Sequence, residues 1–288
     1  MRSKLFVPGS RPELFPKALK GEADALSFDL EDSVVVERKE EARRAVAEFL
    51  RGLGASEKLM VVRVNGLASG QFHADVAGIV GPGLDIINLP KTESREDVLA
   101  CAEAIEKAEE AAGLEQTTGI LANIESPKGL RLAHEIAAAH PRVMGLQLGF
   151  VDLSKTLGIR LPNTQALNTI RLAVRSAAAE AGIAAFDTAF ANVKDAEAFR
   201  KDTEDACNLG FAGKSCIHPS QVPIANAVFS PTIEEVARAA ALLEAAAEAK
   251  RQGLGAFMHE GSMVDVPIIA RAESVVKLAE RLGRLAPR

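Results

Sequence analysis

The chain has 288 residues, of which 48% are hydrophobic and 25% charged, and its 34 basic and 39 acidic side chains give a formal net charge of −5. This composition is typical of soluble globular proteins, and the lack of a basic tract argues against nucleic acid as a partner. The sequence shows neither a membrane span nor a signal peptide, and its three cysteines lack CxxC spacing, so we expect reduced thiols and a cytoplasmic protein.

Short apolar runs alternate with longer amphipathic stretches along most of the chain. Eight runs are predicted as strands, at residues 4–7, 25–29, 60–65, 86–90, 119–124, 145–149, 184–187 and 213–217. Helical periodicity is found between them, at residues 38–53, 95–112, 128–139, 164–181 and 195–209. Eight strand-helix repeats predict an α/β fold, a (β/α)8 TIM barrel. An open doubly wound sheet is the alternative, but the GxGxxG turn that usually follows its first strand is missing here.

The chain continues beyond the eighth repeat. A helix is predicted at residues 231–253, a loop containing Gly and Met at 255–267, and a last helix at 269–285. We therefore expect a barrel over residues 1–230 and a C-terminal helical extension over 231–288. Periodicity does not distinguish an extension that packs on its own barrel from an arm that reaches a neighbouring subunit.

Polar residues stand where the predicted strands end, and in a TIM barrel the carboxyl ends of the strands form the active site. Glu31 and Asp32 follow strand two, and Arg63 lies near the end of strand three. Glu125 and Asp152 follow strands five and six, and such a pair suits Mg²⁺, which binds a few carboxylates and keeps positions for water or substrate. Arg63 suits a substrate carboxylate. Together these residues predict a site that holds a 2-oxo acid and stabilises an enolate.

Each of these residues also has a structural interpretation. A strand-end acid such as Glu125 or Asp152 is often a helix cap or an ion-pair partner. Arg63 is harder to explain in this way, because burial of a guanidinium without an anion is costly. Glu31 and Asp32, which we include with Arg63 as substrate-binding candidates, either support a metal through water or pair with Arg63. Spacing alone does not decide between these two roles.

Seven segments, taken in their order, resemble the HpcH/HpaI aldolase and citrate lyase family, in particular proteins similar to the citrate lyase beta subunit. They lie at residues 2–9, 29–34, 63–65, 90–91, 124–126, 213–221 and 263–267. The resemblance implies a (β/α)8 barrel that assembles as a homotrimer or hexamer. It also implies a Mg²⁺-dependent lyase that cleaves a 3-hydroxyacyl-CoA thioester, such as malyl-CoA, citramalyl-CoA or citryl-CoA, into acetyl-CoA and a 2-oxo acid.

The same resemblance implies roles for individual residues. Glu125 and Asp152 would be the protein ligands of Mg²⁺, and Arg63 would bind the 2-oxo acid. Asp265, in the C-terminal extension, would enter the active site of a neighbouring subunit and act as the acid/base.

One branch of the family cleaves free acids and carries a catalytic His after the second strand, where this chain has Glu31 and Asp32. The free-acid aldolase interpretation therefore lacks its base. Two other functions stay open: condensation of acetyl-CoA with glyoxylate, as in a malate synthase, and action on a thioester of an acyl carrier protein within a citrate lyase complex.

Overall fold

The computed structural model describes residues 1–115 and 118–283. Eight parallel strands form a closed barrel in chain order, and β1 pairs with β8 to complete it. The strands are β1 (Ser3–Pro8), β2 (Ala25–Asp29), β3 (Leu59–Arg63), β4 (Ile86–Leu89), β5 (Gly119–Ile124), β6 (Val143–Leu148), β7 (Ala184–Asp187) and β8 (Gly213–Cys216). The predicted (β/α)8 barrel is confirmed.

Helices follow the strands. They are α1 (Phe15–Lys20), α2 (Lys39–Arg51), α3 (Phe72–Ile79), α4 (Arg95–Ala112), α5 (Pro127–Arg131), α6 (Ala133–Ala137), α7 (Phe150–Leu157), α8 (Thr164–Glu180), α9 (Ala196–Asn208) and α10 (Gln221–Val228). The prediction of one helix over 128–139 is wrong. Two short helices occupy this segment, because the backbone at Leu132 leaves the helical region with φ −101° and ψ 13°.

Local sequence signals set several helix boundaries. The side chain of Ser126 accepts a hydrogen bond from the backbone N–H of Gly129 at 3.0 Å, and that of Asp195 accepts one from Ala198 at 2.9 Å. Both are N-caps, which satisfy N–H groups that the first helical turn leaves unpaired. Gly113 ends α4 with φ +65°, a conformation that glycine adopts without steric cost.

The barrel interior is layered. An apolar cluster fills the part that contains the early residues of the strands, and its members are Ala25, Val61, Ile86, Leu121 and Phe186. Side chains two residues later on a strand point to the same face. Accordingly, buried Asn88 and Asn123 follow this cluster on β4 and β5, and Asp29 and Arg63 end β2 and β3. The interior therefore changes from apolar to polar to charged toward the carboxyl ends of the strands.

By contact density the chain divides into two compact units, Met1–Ala227 and a second that starts at Val228. The second unit contains α11 (Ile233–Arg251), an antiparallel hairpin of β9 (Phe257–His259) and β10 (Ser262–Val264), and α12 (Val266–Arg281). Helices α11 and α12 contribute the apolar side chains Ala239, Ala272 and Val276 to one buried cluster.

The predicted loop at 255–267 is wrong in part, because it contains this hairpin. Glu260 and Gly261 form its turn with φ +48° and +77°, the two positive values that a two-residue type I′ turn requires. The last helix starts at Val266 rather than 269, and Pro267 stands in its first turn, where proline lacks only an N–H that would be unpaired. Its predicted end at 285 lies outside the described residues. Within the described ranges, no helix is long and apolar enough to cross a membrane.

Candidate active site

Arg63 and Asp29 form a bidentate ion pair at the carboxyl ends of β3 and β2. Arg63 Nε donates to Asp29 Oδ1 at 2.7 Å, and Nη2 donates to Oδ2 at 2.8 Å. The two residues are partners in the parallel register, so their side chains leave the sheet side by side. Burial opposes ionisation of Asp29, but the hydrogen bonds and charge of Arg63 outweigh it and hold the pKa of Asp29 below its usual value. The pair fixes the plane of the guanidinium.

Glu31 and Asp32 lie on the other side of the guanidinium. Arg63 Nη1 is 3.0 Å from Glu31 Oε2 and 3.2 Å from Asp32 Oδ2. The Glu31 side chain is buried, whereas that of Asp32 is 58% exposed. Burial raises the pKa of Glu31, and the Arg63 charge opposes this rise. Of the two roles that the spacing leaves open, the structure therefore shows pairing with Arg63.

Lys91 connects this ion-pair cluster to Glu125. Its backbone N–H donates to Glu125 Oε1 at 2.5 Å, and its Nζ donates to Glu31 Oε1 at 2.5 Å. Lys91 has φ +51°, in the left-handed region that residues other than Gly, Asn and Asp rarely adopt. Such strain persists only where the surrounding structure enforces it, and it is concentrated at functional sites.

Glu125 follows β5 and is 6% exposed. Burial raises its pKa from 4.5 to about 7, and the charges of Glu31 and Asp152 add to the rise, while the Lys91 N–H and Arg63 oppose it. Asp152 lies in the first turn of α7, directly after β6, and is exposed. The charge of Asp152 thus acts on Glu125 across neighbouring strands.

Gly149 makes room for the Glu125 carboxylate. A Cβ added at Gly149 would lie 2.5 Å from both Cβ and Oε2 of Glu125, closer than real Cβ contacts occur. The glycine between β6 and α7 therefore allows the buried carboxylate to lie against the backbone. This close approach orients Oε2 while Oε1 accepts the Lys91 amide.

The residues present fit a hard divalent cation. Glu125 is buried and resists ionisation, and a bound cation would compensate that cost. All donors are oxygens, which favour Mg²⁺ over softer metals. In the described ranges no three His, Cys, Asp or Glu side chains are grouped to hold a metal. A cation at Glu125 and Asp152 would thus have two protein ligands and would keep positions for water and substrate.

A cavity of about 640 Å³ opens beside the ends of β1 and β8. Its lining includes Phe6, Pro8 and His218, with positive charge from Arg11 and Lys17 and negative charge from Glu22. The Phe6 ring centroid is also 5.1 Å from the Arg63 guanidinium carbon, so this side chain belongs to both the cavity and the ion-pair cluster. The cavity suits an elongated, partly apolar ligand with anionic groups.

The structure therefore brings most of the predicted site residues together in the first unit: Arg63, Glu31, Asp32, Glu125 and Asp152. Asp265 belongs to the second unit, where it precedes α12 and its side chain makes no capping hydrogen bond. Three residues that contact this cluster or lie beneath it were given no site role in the sequence analysis: Asp29 and Lys91, which stand at strand ends, and Lys4. Asp29 was detectable as the last residue of a strand adjacent to that of Arg63, whereas nothing in the sequence indicated the contacts of Lys91 or Lys4.

Comparison with known proteins gives consistent matches. The sequence model described as HpcH/HpaI aldolase/citrate lyase matches residues 2–219. Citrate lyase subunit beta of Haemophilus influenzae is 41% identical over 281 residues, which cover 97% of each chain. The L-malyl-CoA/beta-methylmalyl-CoA lyase of Cereibacter sphaeroides is 34% identical over 303 residues, which cover 98% of this chain and 95% of that protein.

Among solved structures, CitE from Mycobacterium tuberculosis in complex with magnesium, acetoacetate and coenzyme A superimposes with a TM-score of 0.76 at 31% identity. The match covers 97% of this chain and 99% of that one. Since the family model spans most of the barrel and the relatives align over nearly the whole length, this chain belongs to the HpcH/HpaI aldolase/citrate lyase family.

Proposed function

We propose that this chain is a Mg²⁺-dependent carbon-carbon lyase that cleaves a 3-hydroxyacyl-CoA thioester, such as malyl-CoA, citramalyl-CoA or citryl-CoA, into acetyl-CoA and a 2-oxo acid. The observation that carries the proposal is that Glu125, Asp152 and Arg63 stand at the carboxyl ends of β5, β6 and β3, where the charges of Asp152 and Arg63 act on the pKa of Glu125. The family supports it, because relatives include citrate lyase beta subunits and malyl-CoA lyases, and a similar structure holds magnesium and coenzyme A.

Glu125 and Asp152 would hold Mg²⁺. When bound there, the ion supplies Lewis-acid stabilisation of negative charge on substrate oxygens. Glu125 is oriented before any ligand arrives, since Lys91 fixes one carboxylate oxygen and the backbone at Gly149 lies against the other. This preorganisation lowers the cost of binding the cation.

Arg63 would bind the carboxylate that becomes part of the 2-oxo acid. Its Nε and Nη2 are held by buried Asp29, whereas Nη1 faces buried Glu31 and exposed Asp32. A substrate carboxylate at Nη1 would replace Asp32, because displacement of a solvated acid costs less than displacement of a buried one.

Cleavage requires a proton to leave the 3-hydroxyl group and a proton to reach the new acetyl carbon. As the hydroxyl loses its proton, the carbon-carbon bond breaks, and its electron pair passes to the thioester as an enolate that is then protonated. We assign this acid/base role to Asp265, supplied by a neighbouring subunit of a homotrimer or hexamer, with residues 231–288 as the arm. Exposed apolar side chains flank Asp265 in the sequence, and burial against another chain would remove them from water: Met258, Met263, Val266 and Ile268.

Subunit exchange tests this arrangement. Asp265→Asn is expected to abolish turnover while Mg²⁺ and pyruvate binding persist. Mixing inactive Asp265→Asn and Arg63→Lys proteins would restore part of the activity if each site combines two subunits. Absence of recovery in proven mixed oligomers would contradict a shared site, and full activity of Asp265→Asn would contradict its role.

The cavity beside β1 and β8 provides space for the thioester handle. Its apolar lining suits the pantetheine arm, and Arg11 and Lys17 would contact phosphates. We further propose a location in the cytoplasm, where cysteine thiols stay reduced.

The function is tested by a Mg²⁺-dependent assay of the purified protein with malyl-CoA, citramalyl-CoA and citryl-CoA, in which the released 2-oxo acid is trapped as its phenylhydrazone. Release of one oxo acid that a chelator abolishes is the expected result. Free malate and free CoA formed from acetyl-CoA and glyoxylate would instead establish condensation. Turnover only with an acyl-carrier thioester would establish a subunit of a citrate lyase complex.

A further inference from the structure

Lys4 on β1 is a buried lysine inside the barrel, in the polar layer beneath the ion-pair cluster. Its exposed fraction is 1%. Nζ donates to Asn88 Oδ1 at 3.1 Å and to Gln147 Oε1, and it lies 4.5 Å from the centroid of the Phe6 ring. An ammonium group has three N–H donors and no acceptor, and here two amide oxygens and one aromatic face surround it. In its charged form, Lys4 would direct its three N–H donors to these three groups.

This lysine lacks the partner that burial of a charge normally requires. Among the described residues, no carboxylate lies within 4.0 Å of its Nζ. Burial and the nearby Arg63 charge lower the pKa of Lys4, whereas the charges of Asp29 and Glu125 oppose this decrease. An apolar side chain of similar length would fill the same space without the cost of desolvating a charge. A buried ammonium is therefore unexplained by packing.

Lys4 is coupled to the site in two ways, by hydrogen bonds and by electrostatics. The first is a chain of hydrogen bonds from Lys4 through Asn88 to Asn123, in which Asn88 Nδ2 donates to Asn123 Oδ1 at 2.5 Å. Asn123 lies on β5, two residues before Glu125. The second is electrostatic, since Lys4 Nζ and the Arg63 guanidinium carbon lie 4.5 and 5.1 Å from the centroid of the same Phe6 ring and the Arg63 charge acts on Lys4. The first route leads toward Glu125, which would hold the cation, and the second leads to Arg63, which would bind the oxo acid.

We propose that Lys4 is a positioning residue whose buried positive charge tunes the site, weakening cation binding and strengthening binding of the anionic oxo acid. The inference rests on the proposed function, which places a divalent cation at Glu125 and an anionic substrate at Arg63. The carboxylates around the site are Asp29, Glu31, Asp32, Glu125 and Asp152, and they exceed the cations Arg63, Lys91, Lys39 and Lys4 by one charge. One Mg²⁺ ion would leave the site with one positive charge, which favours an anion, and without Lys4 this charge would be lost.

The test compares wild-type protein with Lys4→Met by titration calorimetry, using Mg²⁺ alone and then pyruvate at saturating Mg²⁺. Loss of the charge is expected to lower the Kd of Mg²⁺ by about threefold to tenfold and to raise the Kd of pyruvate by about tenfold. Lys4→Gln, which keeps a donor for the amide oxygens but carries no charge, should behave in the same way. Lys58→Met is the matched control, because Lys58 donates to the Ala23 carbonyl at 2.8 Å outside this cluster.

An electrostatic role changes the Kd of Mg²⁺ and the Kd of pyruvate in opposite directions, whereas a structural role does not. Weaker binding of both ligands in Lys4→Met and Lys4→Gln would show damage to the site and would overturn the inference. Unchanged affinities in both variants would overturn it as well. If the wild-type protein bound neither Mg²⁺ nor pyruvate, the proposed function itself would fail, and the inference with it.

Discussion

Glu125 is expected to destabilise the metal-free protein above neutral pH. Its pKa is raised by burial from 4.5 to about 7. Because the pKa in the folded protein lies above that of the unfolded chain, the proton stabilises the fold fully below pH 4.5, and this contribution is lost as the pH rises through 7. Replacing the carboxylate by a neutral amide of the same shape, in Glu125→Gln, removes this dependence.

The size of the effect follows from the two pKa values. At about 1.4 kcal/mol per pKa unit, ionised Glu125 costs the folded state about 3 kcal/mol at about pH 8.5, and less than about 1 kcal/mol at about pH 5. In Glu125→Gln the amide oxygen can still accept the Lys91 N–H. We therefore expect this variant to be about 3 kcal/mol more stable than the wild type at the higher pH, in the absence of metal.

Urea unfolding in EDTA at both pH values measures this difference, and repetition with Mg²⁺ adds a second readout. Mg²⁺ should stabilise the wild type by binding only its folded state, and it should leave Glu125→Gln unchanged. Equal stability of the two proteins in EDTA at the higher pH would refute the reasoning, because the carboxylate would then carry no burial cost.

Glu109→Gln is the matched control. Glu109 is also buried, but it accepts from Arg142 Nη2 at 2.7 Å, so that its charge is compensated. Neutralising it leaves the buried Arg142 charge with only the exposed Glu106 carboxylate, 3.7 Å from Nε, and we expect a loss of about 3–5 kcal/mol. The same chemical substitution should therefore change stability in opposite directions at the two positions.

Three further substitutions test the site and its support. Gly149→Ala is expected to displace the Glu125 carboxylate and to weaken Mg²⁺ binding at least about tenfold in calorimetry. Gly66→Ala is the control, because an added Cβ there meets nothing within 4 Å, and it should leave the Kd of Mg²⁺ unchanged. Asp187 is a buried acid that pairs with the buried cations Arg171 and Lys214. Asp187→Asn removes its charge and should lower the free energy of unfolding, measured in urea, by about 3–5 kcal/mol. A loss below about 1 kcal/mol would contradict this. Arg63→Lys keeps the charge but loses the bidentate pair with Asp29 that orients Nη1, so kcat/KM should fall at least about a hundredfold. Activity near wild type would contradict a need for this orientation.

The order of elements could be predicted from sequence because its signals are local. Each strand is a short apolar run, and caps such as Ser126 and Asp195 mark helix starts by hydrogen bonds that span three residues. Glu125, Asp152 and Arg63 were detectable because each stands at or just beyond the end of a strand, and the fold places all strand ends on one face. The hairpin after α11 was missed because three-residue strands are too short for a periodic pattern, although Gly261 marks its turn.

Sequence by itself determined that eight repeated units close into a barrel and that acids and one arginine stand at the carboxyl ends of its strands. Tertiary structure decided which of these groups touch. Asp29 meets Arg63 because their strands are paired in register, and Lys91 reaches both Glu31 and Glu125 because its backbone adopts a left-handed conformation. Lys4 lies under the site because opposing strands enclose it. The physical reason is that hydrophobic periodicity records only whether a side chain is buried, whereas its partners depend on strand register and tilt across the whole barrel.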